Sequence, residues 1–404
     1  MKKIILILLL LFISTASIFA QDYIKSNELD SLVEVALLKK GYKPSKTQFM
    51  IRGYGHTGLE SVKTNGEKAS TYNGGTFAPI FLFKHSDKLM FESELEFQIT
   101  GGSLDVGLEY ADVMYVLNKY MTVRAGKFLL PFGTFMERLH PAWINKMSTK
   151  PLGFGHDGIA PSTGVGVELR GAFNIGSSTL NYAVYNTNGP GLKTPTGEEP
   201  LEAGMLTFEN LKDNNNSRAF GGRIGFLPFD DSSTEIGASY YTTSKVGDRG
   251  SIYENLGANL YAFDFSFVKQ LPVIIGIIDV KAQYNNSTVD NMTYRVEETP
   301  GVVENLTFNN NSYSYYAQLS YRPTMLENSF FSKLELVNRI SKLKTPIGSG
   351  WQTEKKEYSI GLNYWISWRS LIKLNYQTIT GTGGHDVIGD YNQNGLYLHW
   401  AIGF

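Results

Sequence analysis

The sequence predicts an all-β chain, a transmembrane antiparallel β-barrel of about sixteen strands. Three observations predict it. Segment after segment alternates apolar and polar side chains, as a strand with one greasy and one wet face must. These segments run roughly 10–13 residues, long enough to cross a bilayer at a tilt, whereas soluble strands are usually about 5–6 residues long. The connections between them alternate short and long, as in barrels with tight turns on one rim and loops on the other.

The alternation is clear in several places. Phe91, Leu95, Phe97 and Ile99 oppose Glu92, Glu94, Glu96 and Gln98. Tyr358, Ile360, Leu362 and Tyr364 oppose Ser359, Gly361 and Asn363; Ile372, Leu374 and Tyr376 oppose Lys373, Asn375 and Gln377. Hydrophobicity spread over every second position averages away, which explains a mean hydropathy of −0.18. Beyond the first twenty residues no run approaches about 18 uncharged apolar residues, so helical spans are excluded.

In chain order, Lys2, Lys3 and the apolar run from Ile4 to about Ala16 predict a signal peptide over 1–20, cleaved after Ala20. Residues 21–46 carry Leu29, Leu32, Val33, Ala36 and Leu37 at helical spacing. Acids come early and lysines late, so a short amphipathic periplasmic helix is expected there. The barrel is expected over 47–404, with strands near 47–58, 75–84, 88–100, 104–116, 119–129, 162–173, 178–187, 217–228, 233–245, 256–268, 273–286, 312–322, 330–341, 355–366, 370–380 and 394–404. Longer loops are expected near 59–74, 130–161, 188–216, 246–255, 287–311, 342–354 and 381–393. The last strand, "YLHWAIGF", keeps Leu398, Trp400, Ile402 and Phe404 on one face to its final residue. A strand that closes a barrel against the first one has to be apolar outside to its end. Tyr364, Trp365, Trp368 and Trp400 are expected in an interfacial aromatic girdle.

The chain has no cysteine, so neither a disulfide nor a lipidated cysteine contributes. Without Lys2 and Lys3 the net charge is about −3, which does not suggest nucleic acid as a partner.

The most individual stretch is "VRAGKFLLPFGTFMERLHPAWINK", residues 123–146. Its "GKFLLPFG" core, with Gly126, Phe128, Pro131, Phe132 and Gly133, resembles a segment of the phosphate-selective porin O and P family. "ERLHPAWINK" looks like members from the Bacteroidota. The resemblance implies a bacterial outer-membrane porin, a homotrimer in outer-membrane lipid, whose third outer loop folds into the lumen. That loop would be 130–161, with Pro131, Pro141, Pro151 and Pro161 and no alternation. Proline cannot serve a wall's hydrogen-bond ladder, so the segment must leave the wall; "MERLHPAWINK" is expected to form a short helix.

Arg124, Lys127, Arg138, Lys146 and Lys150 cluster in and before this loop, against Glu92, Glu94 and Glu96 on a neighbouring strand. Arg52, Arg170, Arg223 and Lys281 fall on inward positions. If the loop folds inward, its bases are expected to face the acidic wall patch across the pore, a field that orients polar solutes. The bland reading is ordinary water-facing charge; the sharper one is a pore preferring small anions such as phosphate.

No enzyme is expected. His156–Asp157 and His385–Asp386 sit in loops without a neighbouring nucleophile, and no metal, phosphate-loop or other cofactor motif occurs. The expected function is passive diffusion of small hydrophilic solutes. The alternatives are a transporter for a specific hydrophobic or organic substrate, and an outer-membrane barrel enzyme. A plugged barrel of about 22 strands cannot fit this length.

Overall fold

The computed structural model describes residues 47–100, 102–155, 158–196, 199–208, 211–299, 302–383 and 389–404. The signal peptide, the helix expected over 21–46 and both His–Asp pairs lie outside them. The chain divides into two compact units. Among the described residues one holds Thr47, Gln48 and Lys84–Asp87, where Lys84 and Asp87 pair at 3.1 Å. The other, Phe49–Phe83 with Lys88–Phe404, is the barrel.

Its strands are β1 (Gln48–Thr64), β2 (Glu67–Lys84), β3 (Leu89–Thr100), β4 (Ser103–Asn118), β5 (Met121–Leu129), β6 (Thr163–Ile175), β7 (Ser178–Asn188), β8 (Gly191–Leu192), β9 (Leu206–Thr207), β10 (Arg218–Leu227), β11 (Thr234–Thr243), β12 (Ala258–Leu271), β13 (Gly276–Val289), β14 (Thr293–Thr299), β15 (Val302–Thr307), β16 (Asn311–Arg322), β17 (Leu334–Lys344), β18 (Thr353–Ser367), β19 (Ser370–Gly383) and β20 (Asp390–Gly403). Sixteen of them close an antiparallel barrel in chain order; β8–β9 and β14–β15 form separate two-stranded sheets in the loops. The seam pairs β1 with β20 from Tyr54↔Gly403 to Thr64↔Gln393. Phe404 then exchanges both backbone hydrogen bonds with Gly53, at 2.9 and 3.2 Å, so the ladder reaches the last residue.

The two faces of the wall are inverted relative to a soluble protein. On β20, Leu396, Leu398, Trp400, Ile402 and Phe404 are 42–53 % exposed, while Tyr397, His399 and Ala401 are buried. Leu336, Leu362, Leu374, Leu398 and Leu59 stand in register across five adjacent strands, all on the outside and all 37–46 % exposed. A row of leucines facing outward has its natural solvent in hydrocarbon. The inner face of the same strands carries Ser359, Asn363, Lys373, Asn375, Gln377 and His399, all buried.

Two expectations need correction. Residues 59–74 are wall, not loop: β1 and β2 run on to a two-residue turn at Asn65 (φ 50°) and Gly66 (φ 99°). Residues 67–72 are all exposed, so both faces of this hairpin meet water and the apolar alternation lapses. Trp365 is not a girdle residue, because it shares the inward phase of Asn363 and its Nε1 donates to Glu335 Oε2 at 2.9 Å. The outer loops carry an apolar core of their own. Leu192, Phe208, Val246, Tyr253, Tyr294 and Phe308 pack with the wall residues Tyr241 and Leu260 and with Phe128, Leu130 and Phe132 into one apolar core. Tyr294 stacks between Tyr253 and Phe308 at 5.3 and 5.5 Å, and Trp351 Nε1 ties the loops together through the Ala203 carbonyl at 3.1 Å.

A bulge in β3–β4 pairs Glu94 with Tyr110 but Leu95 with Leu108, leaving Glu109 as the extra residue and burying it together with Tyr110. Gly126 in β5 has φ 136°, and a Cβ there would lie 2.3 Å from the Ala111 carbonyl oxygen. Gly126→Ala is expected to cost about 2–3 kcal/mol, through backbone strain and the clash. A shift of the urea midpoint in detergent-refolded protein measures it.

Candidate functional site

The segment between β5 and β6 leaves the wall where Gly133 adopts φ 65°. Its amide donates to Ser239 Oγ of β11 at 3.0 Å, and the amides of Thr134 and Phe135 both donate to Gln283 Oε1 of β13, at 2.8 and 3.0 Å. A Cβ on Gly133 would collide with that same amide side chain, 2.0 Å from its Nε2. This gives the "GKFLLPFG" residues their work. Gly126 passes close to β4, Phe128 and Phe132 are buried in the apolar core, Pro131 adds no donor to the ladder, and Gly133 makes the inward turn.

The loop then crosses to the far wall. Among the described residues of this segment only Phe135–Leu139 is helical, a single wide π-type turn, so the helix expected from "MERLHPAWINK" is cut short before Pro141. Beyond it, Lys373 of β19 is almost completely buried, and its ammonium donates to three loop carbonyls, of Ala142 at 2.8 Å and of Asn145 and Met147 at 3.0 Å. Ser148 donates through N and Oγ to Asn375 Oδ1 at 2.6 and 2.7 Å. Arg339 of β17 reaches the Thr149 carbonyl at 2.8 Å while pairing with Glu357 at 2.7 Å. Trp143 lies so close to β20 that a Cβ at Gly403 would come within 2.8 Å of its ring. The inward-folded third outer loop is thus fixed to β11, β13, β17 and β19.

The candidate charges fall into distinct places. Arg124 lies between Asp112, Glu92 and Glu168, at 2.9, 3.7 and 3.9 Å. Arg170 bridges Glu168 and the loop's Glu137. Arg223 holds Asp264 at 2.6 Å and Glu235 at 2.9 Å, and Arg138 reaches the same Glu235 at 2.8 Å. Lys146 is clamped by Glu335 at 2.6 Å and Asp279 at 2.8 Å; Lys281 also pairs with Asp279, at 3.0 Å. Lys127 donates to the Leu108 carbonyl at 2.5 Å, and Lys150 is exposed. Arg52 is exposed near the start of β1, its Nε 3.1 Å from Met50 Sδ. Glu94 accepts from Tyr54 Oη at 2.8 Å. The loop bases Arg138 and Lys146 therefore meet carboxylates of β11, β13 and β17 rather than the acidic patch of β3. That patch instead borders a space of about 460 Å³ lined by Glu96, Gln98, Asp105, Glu109, Lys127 and Lys150. A second space, of about 380 Å³, is lined among others by Glu137, Arg138, Arg170, Asn181 and Arg223.

Burial pushes the Glu137 carboxyl up, but the neighbouring Arg170 and Arg138 outweigh it and hold it below its ordinary value. Burial likewise opposes the charge on Lys146, and Glu335 and Asp279 overcome that, raising it. A depressed carboxyl contributes stability above its unfolded value and loses it as pH falls through the folded one; a raised lysine does the converse at high pH. The contribution of these two groups to the loop's hold is therefore expected to be constant between about pH 5 and 10. The difference in urea stability between Glu137→Gln protein and the unmodified chain across a pH series checks this, with change expected only outside that window.

Gln283, Asn375, Arg339 and Lys373, which do most of the holding, were not singled out as site residues from the sequence. Their signal is weak: polar side chains in inward phase on strands otherwise unremarkable.

No protein-family model and no curated protein matches the chain. Solved structures do. The outer-membrane channel DcaP of Acinetobacter baumannii is similar with a TM-score of 0.56 at 12 % identity, over 89 % of this chain and 99 % of that one. OmpF of Salmonella typhi, in complex with daunomycin, gives 0.53 at 13 %, over 89 % and 98 %. An anion-selective porin from Comamonas acidovorans gives 0.51 at 11 %, over 89 % and 100 %. The fold is that of outer-membrane porins, and a closed barrel with an apolar belt outside and charge inside belongs in a bacterial outer membrane.

Proposed function

We propose that this chain is a porin, a passive channel for small hydrophilic solutes that works without cofactor or covalent chemistry. The observation that carries this is the closed wall, apolar outside and charged inside, with a loop fixed across its lumen. The wall keeps the passage open against lipid and the loop limits what passes. We read the assembly as a homotrimer in outer-membrane lipid, residues 1–20 as removed on export, and 21–46 as periplasmic. The narrower reading, membership of the phosphate-selective porin O and P family with anion preference, rests on the 126–146 resemblance. It would use the arginines and lysines that here carry carboxylate partners. A transporter for one organic substrate would show saturable flux.

Reconstitution in planar bilayers tests the proposal. Stepwise conductance, ohmic and rising in proportion to salt, is expected; absence of any conductance from folded, inserted protein would contradict it.

A further inference from the structure

We propose that the lumen selects for cations. This rests on the porin reading above and narrows it to a charge class, the opposite of the anion preference that the 126–146 resemblance implies. Arg339 and Lys373 are each 1 % exposed and held by Glu357 and by loop carbonyls, so neither faces a moving solute. Lys146 is half enclosed between two carboxylates, and Lys281 shares one of them. On the opposite side, Arg124, Arg138, Arg170 and Arg223 share Glu92, Asp112, Glu137, Glu168, Glu235 and Asp264 within 4 Å, four guanidinium groups among six carboxylates. What looks from the sequence like a basic track is, in space, a line of ion pairs with acid in excess.

The larger open space tilts the same way. Glu96, Asp105 and Glu109 line it against Lys127 and Lys150. The β3–β4 register sets these acids on neighbouring strands: Glu96 faces Gly107, and Gln98 faces Asp105. Gly107 has nothing within 4 Å of where its Cβ would be, so Glu96, which faces it, and Asp105 beside it border open space, while Glu109 is buried next to Tyr110. Behind the wall lies lipid, whose low dielectric focuses the field of such a strip into the water of the pore. A cation passing the strip lowers the energy of that excess charge, and an anion raises it.

The test uses the full chain, refolded and inserted in planar bilayers across a KCl gradient. The reversal potential is expected to take the sign of the potassium equilibrium potential. The K⁺ to Cl⁻ permeability ratio should rise as salt is lowered, because the Debye length grows from about 3 Å at 1 M to about 10 Å at 0.1 M. The near-isosteric triple variant Glu96→Gln, Asp105→Asn, Glu109→Gln is expected to cut that ratio at least twofold. The salt series on the unmodified chain decides the sign by itself if the variant does not refold. A chloride-preferring pore, or a ratio indifferent to the triple variant, overturns this inference while leaving the porin reading intact. A folded, inserted protein with no conductance overturns both.

Discussion

Leu398→Arg is expected to cost about 2–4 kcal/mol of folding free energy and to abolish most insertion into liposomes, the range for a charge near mid-bilayer on a barrel's outer face. Leu398 lies in the row of in-register leucines, with Leu374 on one side and Leu59 on the other, and is 45 % exposed without a polar neighbour in that row. In water such a substitution would be nearly neutral, since exposed positions tolerate charge. Heat-modifiable mobility on gels after refolding, together with a urea titration, reads the loss. An arginine tolerated at 398 with full insertion would mean that the row does not face lipid.

Lys373→Met is expected to leave the wall folded and free the loop. The ammonium gives one hydrogen bond to each of three carbonyls, and bonds from charged donors contribute about 1.5–3 kcal/mol apiece before the burial of the charge is offset. Methionine keeps the length of the side chain and removes every donor. The Ala142–Met147 turn then keeps the Lys146 pairs with Glu335 and Asp279 but loses its carbonyl anchor, while Asn375 and Arg339 hold its C-terminal neighbours. Single-channel conductance should rise at least twofold or become noisy. The β18–β19–β20 ladder is untouched, so gel mobility stays that of folded barrel. Lys373→Arg should not restore the quiet state, because a planar guanidinium does not fit an enclosure shaped around an ammonium.

Most of the wall was legible in the sequence because its signal is local. Alternation over Tyr358–Tyr364 or Ile372–Gln377 reports directly which face meets lipid, and the expected strand ends fall within a few residues of those found for β3, β7 and β10. The exception at 59–74 is physical. A hairpin with water on both faces has no reason to alternate, and only the Asn65–Gly66 pair marks it as a two-residue turn. Trp365 was misplaced because its chemistry suggested an interface, when its phase, one residue past Tyr364, already pointed inward. The site was far less legible. Proline spacing shows that 130–161 leaves the wall. Nothing local shows that Lys146 will meet Glu335, 189 residues away, or that Arg138 will meet Glu235, 97 residues away. Those pairings are fixed by barrel closure, a property of the whole ring. The apolar core of the outer loops escaped for the same reason, since Phe208, Tyr253, Tyr294 and Phe308 come from three separate loops.

The most direct test of the account is where water and hydrocarbon touch the wall. The chain has no cysteine, so single cysteines can be placed at 362, 374 and 398, and at 96 and 105, and labelled with a fluorophore in liposomes. Brominated lipid tails should quench the first three strongly and the last two hardly at all, while aqueous iodide does the reverse. Equal quenching of both sets by iodide, or lipid quenching at 96 and 105, would show that the faces are not the inside-out pair described here.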